Sequence, residues 1–135
     1  KIKMDLEVLN IAANTDHNKN IENYTHVSKL KNSLCGDEMK IEVILKNEKI
    51  LEFGYQGKSC VYCQASASLL SKISINNQKG KINDLCDKVE LYFDDDVKIV
   101  DKKWISLKKL IKKKNINKKD CILLPFKTLK KIVSS

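Results

Sequence analysis

Arginine is absent from these 135 residues: all 26 basic side chains are lysine. The guanidinium group makes the bidentate contacts to guanine and phosphate on which specific nucleic-acid recognition relies. Its absence therefore argues against nucleic acid as a partner despite a net charge of +9. With abundant Asn and Ile, it fits biased genome composition better than a binding design. Most of the excess charge falls between Lys102 and Lys131, where it suits an acidic protein partner. Long apolar runs are missing as well. None approaches the roughly 20 residues of a membrane span, so no membrane association is expected. The opening Lys1-Ile2-Lys3-Met4-Asp5-Leu6 has no apolar centre of the kind signal peptides carry, and the cytoplasm is the expected compartment. Repeats and low-complexity linkers are also lacking, and the length suits one domain over residues 1–135.

What is present in number is cysteine: five residues, an odd count that fits poorly with a closed disulfide set. In a reducing compartment such thiols read first as metal or redox groups. Cys86 shares an apolar helical face with Ile82, Leu85 and Val89 and reads as a buried small hydrophobe. Cys35, Cys60 and Cys121 each fall at a junction between elements. A thiol at the opening of a helix is placed where the helix dipole favours thiolate. With Asp37 these three make a candidate four-ligand set, for zinc or for an iron–sulfur cluster. There is no second Cys-x-x-Cys to complete a zinc-ribbon pattern. His17 and His26 lie in polar sequence without ligand spacing to a cysteine, and read as surface residues.

The order of elements follows from periodicity. Residues 4–14 predict a short helix, and Thr25–Leu30 a weak first strand. Met39, Ile41, Val43 and Leu45 alternate with Lys40, Glu42 and Lys46, a strand with one wet face. Asn47-Glu48 turns it back into Lys49–Tyr55. A glycine-containing loop carrying Cys60 and Cys63 then opens a helix through Ala65, Leu69 and Ile73, stopped by Asn76-Asn77 and Gly80. A second amphipathic helix runs through Ile82–Phe93, with Asp94–Asp96 a solvated end. Trp104, Leu107, Leu110 and Ile111 predict a third. The last helix carries Leu124, Leu129, Ile132 and Val133; Pro125 is expected in its first turn, leaving Cys121 at its mouth. Strands followed by helices indicate α+β: a small antiparallel sheet of two to three strands covered on one face by helices.

Three segments carry a resemblance. They are Leu34-Cys35-Gly36-Asp37, then Gly57-Lys58-Ser59-Cys60 followed by Gln64-Ala65-Ser66-Ala67-Ser68, and Cys121-Ile122-Leu123-Leu124-Pro125-Phe126. In these the chain resembles the IscU/SufU/NifU N-terminal domain family of iron–sulfur cluster assembly scaffold proteins, over nearly its whole length. The resemblance implies that Cys35, Asp37, Cys60 and Cys121 bind zinc or a transient [2Fe–2S] cluster, with Asp37 keeping the cluster labile. It implies Cys121 as the acceptor of sulfur from a cysteine desulfurase, and iron–sulfur acceptor proteins as recipients. It implies a carrier with no small-molecule turnover of its own. Several positions depart from the family pattern. Asp120 stands where the IscU branch has histidine, Ser59 replaces a common glycine, and Cys63 replaces a common serine. The Leu-Pro-Pro-Val-Lys chaperone site is missing. The spacer between Cys60 and Cys121 is closer to the SufU-like branch, which implies the alternative of a zinc-dependent sulfur carrier. Cys63 is a candidate extra ligand, second sulfur acceptor or packed residue.

A third reading is a glutaredoxin-like dithiol oxidoreductase using Cys60 and Cys63. It explains Cys63, but leaves Cys35-Gly36-Asp37 and Cys121 without a role. It also lacks the cis-proline before a later strand, since Pro125 precedes a helical pattern. A fourth is an interaction module that has lost the activity, although retained oxidisable thiols would then have little physical reason.

Overall fold

A computed structural model describes residues 5–34, 36–95 and 102–134. Cys35 lies outside the described residues, as do residue 96 of the acidic triplet and the side chains of 94 and 95. The chain begins with helix α1, Leu6–Ala13, followed by strands β1 (His26–Lys31), β2 (Glu38–Lys46) and β3 (Lys49–Gln56). Helices α2 (Val61–Ser74) and α3 (Lys79–Asp95) come next. Two 3₁₀ segments, Lys102–Lys109 and Lys113–Lys118, lead into α4, Lys119–Val133.

The strands form one antiparallel sheet in the order β1-β2-β3, the α+β arrangement expected, with the third strand realised. Met39, Ile41 and Val43 of β2 point to the core and are fully buried, as are Phe53 and Tyr55, their neighbours on β3. Asn47 and Glu48 both take positive φ (53° and 66°), the geometry whose twist matches a two-residue hairpin. A register shift between Ile44 and Leu45 then pairs Leu45 with Ile50. Ile50 is thereby buried, and Leu51 is left outside.

The wet face expected on β2 is partly dry. Ile21 crosses it, and its N–H donates to the buried Glu42 carboxylate at 3.0 Å. The same segment presses on Gly54, where a Cβ would stand 2.4 Å from the Lys19 carbonyl oxygen. The opposite face is covered by α2 and α4, which pack on each other and on the strands.

Asp5 caps α1 by accepting from the N–H groups of Glu7 (3.0 Å) and Val8 (3.4 Å). Lys112 and Lys114 approach its carboxylate at 3.9 and 3.2 Å, tying α1 to the 3₁₀ region. Burial works against the charge on Asp5, but the Lys114 contact and the two backbone N–H groups outweigh it and hold the carboxyl below its ordinary value of 3.8. Asp5→Ala is expected to cost about 1 kcal/mol at neutral pH. A depressed carboxyl stabilises above its unfolded value and stops doing so as pH falls through the folded one. The difference in unfolding midpoint between wild type and Asp5→Ala should therefore shrink from pH 7 to pH 3.

Three further expectations need correction. The third helix is a 3₁₀ segment, Lys102–Lys109, with Leu110 and Ile111 just past its end: Trp104 and Leu107 are buried three apart, the repeat at which 3₁₀ side chains line up. Gly80 stops nothing, since it lies in the first turn of α3; α2 ends instead at Ile75 and the left-handed Asn76 (φ 70°). Pro125 sits well inside α4. It has no N–H to give the Cys121 carbonyl four residues back, a loss usually costing about 3 kcal/mol. The helix continues because every residue from Cys121 to Phe126 is buried, so tertiary packing outweighs the local penalty.

Candidate metal centre

Asp37, Cys60 and Cys121, far apart in sequence, meet at one end of the sheet. One carboxylate oxygen and the two sulfur atoms all lie within 4.8 Å of one another. Asp37 and Cys121 are each 7 % exposed, and Cys60 is half-buried.

Asp37 is delivered by a loop built on Asn32. The Asn32 side-chain oxygen accepts the Leu34 N–H (2.9 Å), its carbonyl accepts the Gly36 N–H (2.8 Å), and its N–H donates to the Asp37 carbonyl (2.8 Å). Gly36 turns the chain at φ +76°, which glycine adopts without a Cβ penalty. Asp37 then enters β2.

Cys60 is delivered by the segment leaving β3. The Glu38 N–H donates to the Lys58 carbonyl at 2.8 Å, laying this segment on the start of β2. The approach leaves no room for a side chain at Gly57, where a Cβ would stand 1.9 Å from the Glu38 carbonyl oxygen. Two residues beyond Lys58, Cys60 is the N-cap of α2 in an extended conformation. Ser59 accepts a hydrogen bond from Gln64 at 2.6 Å, so this departure from the common glycine has a structural use.

Cys121 is the third residue of α4. Its height is set by a contact between helices: the buried Ser66 hydroxyl donates to the Ile122 carbonyl at 2.6 Å. The small residues of the Ala-Ser run let α2 approach α4, and a buried hydroxyl there requires a partner. Both helices point their N-termini at the donors, and the partial positive charge there favours anions.

The donor set fits a metal on this geometry. Among the described residues, the Asp37 Oδ2 atom is buried with no hydrogen-bond partner, which is costly for a carboxylate unless something satisfies it. Two thiols and a carboxylate are zinc-type ligands, and tetrahedral Zn–S bonds of about 2.3 Å would bring the sulfurs to about 3.7 Å. That is a small closure from the observed spacing.

The remaining sequence candidates separate cleanly. Cys63 is fully buried in α2 and is not one of the three converging donors. Cys86 is fully buried, and burial pushes its thiol up to about 12. His26 is exposed on β1; His17 is half-buried and contributes its backbone carbonyl to the Tyr55 N–H at 3.0 Å. Among the described residues, Asn32 is the support that sequence reasoning missed. Gly57 and Ser66 stood in the segments that carry the resemblance, but without the contacts that give them their use.

No described helix is long and apolar enough to cross a membrane. Among solved structures, the chain is similar to a nitrogen-fixing NifU-like protein (N-terminal) from Brucella abortus. That likeness has TM-score 0.87 and 15 % identity, over 96 % of this chain and 91 % of the other. It is also similar to a protein from Fervidobacterium islandicum AW-1 assigned as an iron–sulfur cluster assembly scaffold for the SUF system. Here the TM-score is 0.82 and the identity 23 %, over 93 % of each chain. Both show the fold. An uncharacterized protein of Borreliella burgdorferi is 32 % identical over 114 residues, covering 84 % of this chain and 75 % of that one. Residues 4–90 match the family described as NifU-like N terminal domain, and the chain belongs to that family.

Proposed function

We propose that this protein is an iron–sulfur cluster assembly scaffold, one domain over residues 1–135, with Asp37, Cys60 and Cys121 as donors to the cargo. Cys35 is the fourth, on its place in the motif Leu34-Cys35-Gly36-Asp37. The observation that carries this reading is the convergence of two thiols and a buried carboxylate whose Oδ2 has no partner among the described residues. The cargo is a transient [2Fe–2S] cluster, built from iron and from sulfur supplied by a cysteine desulfurase, and passed to iron–sulfur acceptor proteins. The protein acts as a carrier rather than by turnover.

Cys121 accepts the sulfur. Its thiolate attacks the terminal sulfur of the donor's persulfide; the S–S bond of the donor breaks, its cysteine leaves as thiolate, and Cys121 becomes the persulfide. The optimum attacking thiol has a pKa near ambient pH. Mixed sulfur and oxygen donors hold iron less tightly than four thiolates would, which favours release. The exposed lysines of the 3₁₀ region, Lys108, Lys109, Lys113 and Lys114, offer an acidic face of the desulfurase a docking surface.

The same donors favour a second reading. A carboxylate beside thiols is a zinc set, and zinc held in the absence of the cluster would leave a sulfur carrier of the SufU type.

Anaerobic reconstitution with iron, cysteine and a desulfurase separates the readings. About two iron and two sulfide per cluster-bearing unit, lost in Cys60→Ala, is the expected result. Tightly held zinc with persulfide on Cys121 and no cluster would select the sulfur carrier. Neither metal nor sulfur on the protein would overturn both.

A further inference from the structure

Cys63 is absorbed by none of these roles, yet its position in α2 is specific. Cys60 is the N-cap and Cys63 the third helical residue. Residues three apart on a helix have Cβ atoms about 5–6 Å apart, and a disulfide needs about 3.5–4.5 Å. The extended, non-helical Cys60 can close that gap by a small rotation without unwinding a turn. Exposure divides the pair, with Cys60 half-buried and Cys63 fully buried. The outer thiol can meet another sulfur, while the inner one is reached only through the outer. On its other side, Cys60 has the Cys121 sulfur within 4.8 Å. Three sulfurs thus form a relay, Cys121 to Cys60 to Cys63.

Cluster assembly needs a source of electrons. The outer sulfur of a persulfide is at the oxidation level of elemental sulfur, whereas the cluster contains sulfide, so each sulfur requires two electrons. We propose that Cys60 and Cys63 are an internal two-electron reductant that releases sulfide from the Cys121 persulfide. This rests on the sulfur-accepting part of the proposed function.

The Cys60 thiolate attacks the inner sulfur of the Cys121 persulfide. The Cys121 S–S bond breaks, hydrogen sulfide leaves with the electron pair, and a Cys60–Cys121 disulfide forms. Cys63 then attacks the Cys60 sulfur, giving a Cys60–Cys63 disulfide and restoring the Cys121 thiol. In sum, one persulfide and two thiols become one thiol, one disulfide and one sulfide. The two cysteines are oxidised and the transferred sulfur is reduced. A dithiol such as dithiothreitol resets the pair.

The test uses the full chain, freed of metal, loaded anaerobically with sodium tetrasulfide and desalted. Cyanide-labile sulfur on the Cys121 peptide is measured at once. Released sulfide and the disulfide pattern are followed with no added reductant. The expected result for wild type is about one sulfide per Cys121 persulfide, with a Cys60–Cys63 disulfide in equal amount. Cys63→Ser, close in size at a buried position, should load normally and release one sulfide as Cys60 attacks, but then hold the Cys60–Cys121 disulfide instead of regaining the Cys121 thiol. Cys63→Ala is the second variant, and the disulfide in wild type is a readout that needs no variant. Persulfide retained on Cys121 with Cys60 and Cys63 both reduced would overturn the relay and leave sulfur acceptance intact. A Cys121 thiol regained by both Cys63 variants as fast as in wild type, with no Cys60–Cys121 disulfide, would do the same. No cyanide-labile sulfur on Cys121 at time zero would overturn sulfur acceptance itself, and the relay with it.

Discussion

Gly57→Ala is expected to lose both stability and metal. The added Cβ would stand 1.9 Å from the Glu38 carbonyl oxygen and 2.9 Å from its carbon. These are backbone atoms of a strand paired on both sides, so no side chain can rotate away. The segment carrying Lys58 must lift by more than an ångström, breaking its bond from the Glu38 N–H. Overpacking of this kind typically costs about 1–3 kcal/mol, and backbone contact places it at the upper end. An unfolding midpoint lower by roughly 10 °C is expected for a chain of this size. The same movement separates Asp37, next to Glu38, from Cys60, so zinc affinity should fall beyond what stability explains. Gly80→Ala is the control. Nothing lies within 4 Å of its Cβ, and alanine in a helix is favoured over glycine by up to about 1 kcal/mol. It should leave zinc binding unchanged and the midpoint equal or slightly higher.

Cys121→Ser should show the converse, a protein that folds and does not hold its cargo. Apparent zinc binding energies of roughly 10–16 kcal/mol for four-donor sites imply about 3 kcal/mol per donor. Losing one thiolate is therefore expected to weaken zinc by about 100-fold, read by competition with a chromogenic chelator. Sulfur acceptance should vanish with it, since the hydroxyl cannot form a persulfide. Cys86→Ser gives the reverse pattern. Its thiol is buried among apolar neighbours, so a hydroxyl there should cost about 1–3 kcal/mol with zinc affinity unchanged. Had the two cysteines the same role, the two variants would behave alike.

The sequence exposed the site better than its scaffolding. Cys60 and Cys121 stood out because each falls at the opening of a helix, and Asp37 because it follows Cys35-Gly36 at the start of a strong alternating strand. Cys86 was legible as core from its helical face. Long-range packing was not legible. Glu42 alternates as a solvent-facing residue should, and only the crossing of Ile21 buries it. Pro125 reads as a first-turn residue by every local rule, and α4 nonetheless begins six residues earlier, because every residue from Cys121 to Phe126 is buried. The Trp104–Ile111 stretch fits both helical periods at short length, and the interval of three became decisive only once Trp104, Leu107 and Leu110 were seen to be buried together. Gly57 is the clearest case, because its importance lies in the Glu38 carbonyl opposite, which no local pattern reveals.

The three donors come from the start of β2, the cap of α2 and the first turn of α4, and that arrangement has a mechanical meaning. Whatever holds Asp37, Cys60 and Cys121 together ties three separate stretches of chain into two closed loops. It acts as a reversible cross-link across the fold. A ligand that binds the folded chain alone stabilises it by about 4 kcal/mol at a thousandfold excess over its dissociation constant. On the proposed function, loaded and empty proteins would differ in stability as well as in content. A desulfurase that prefers the looser form and a recipient that prefers the tighter one could tell them apart without touching the cargo.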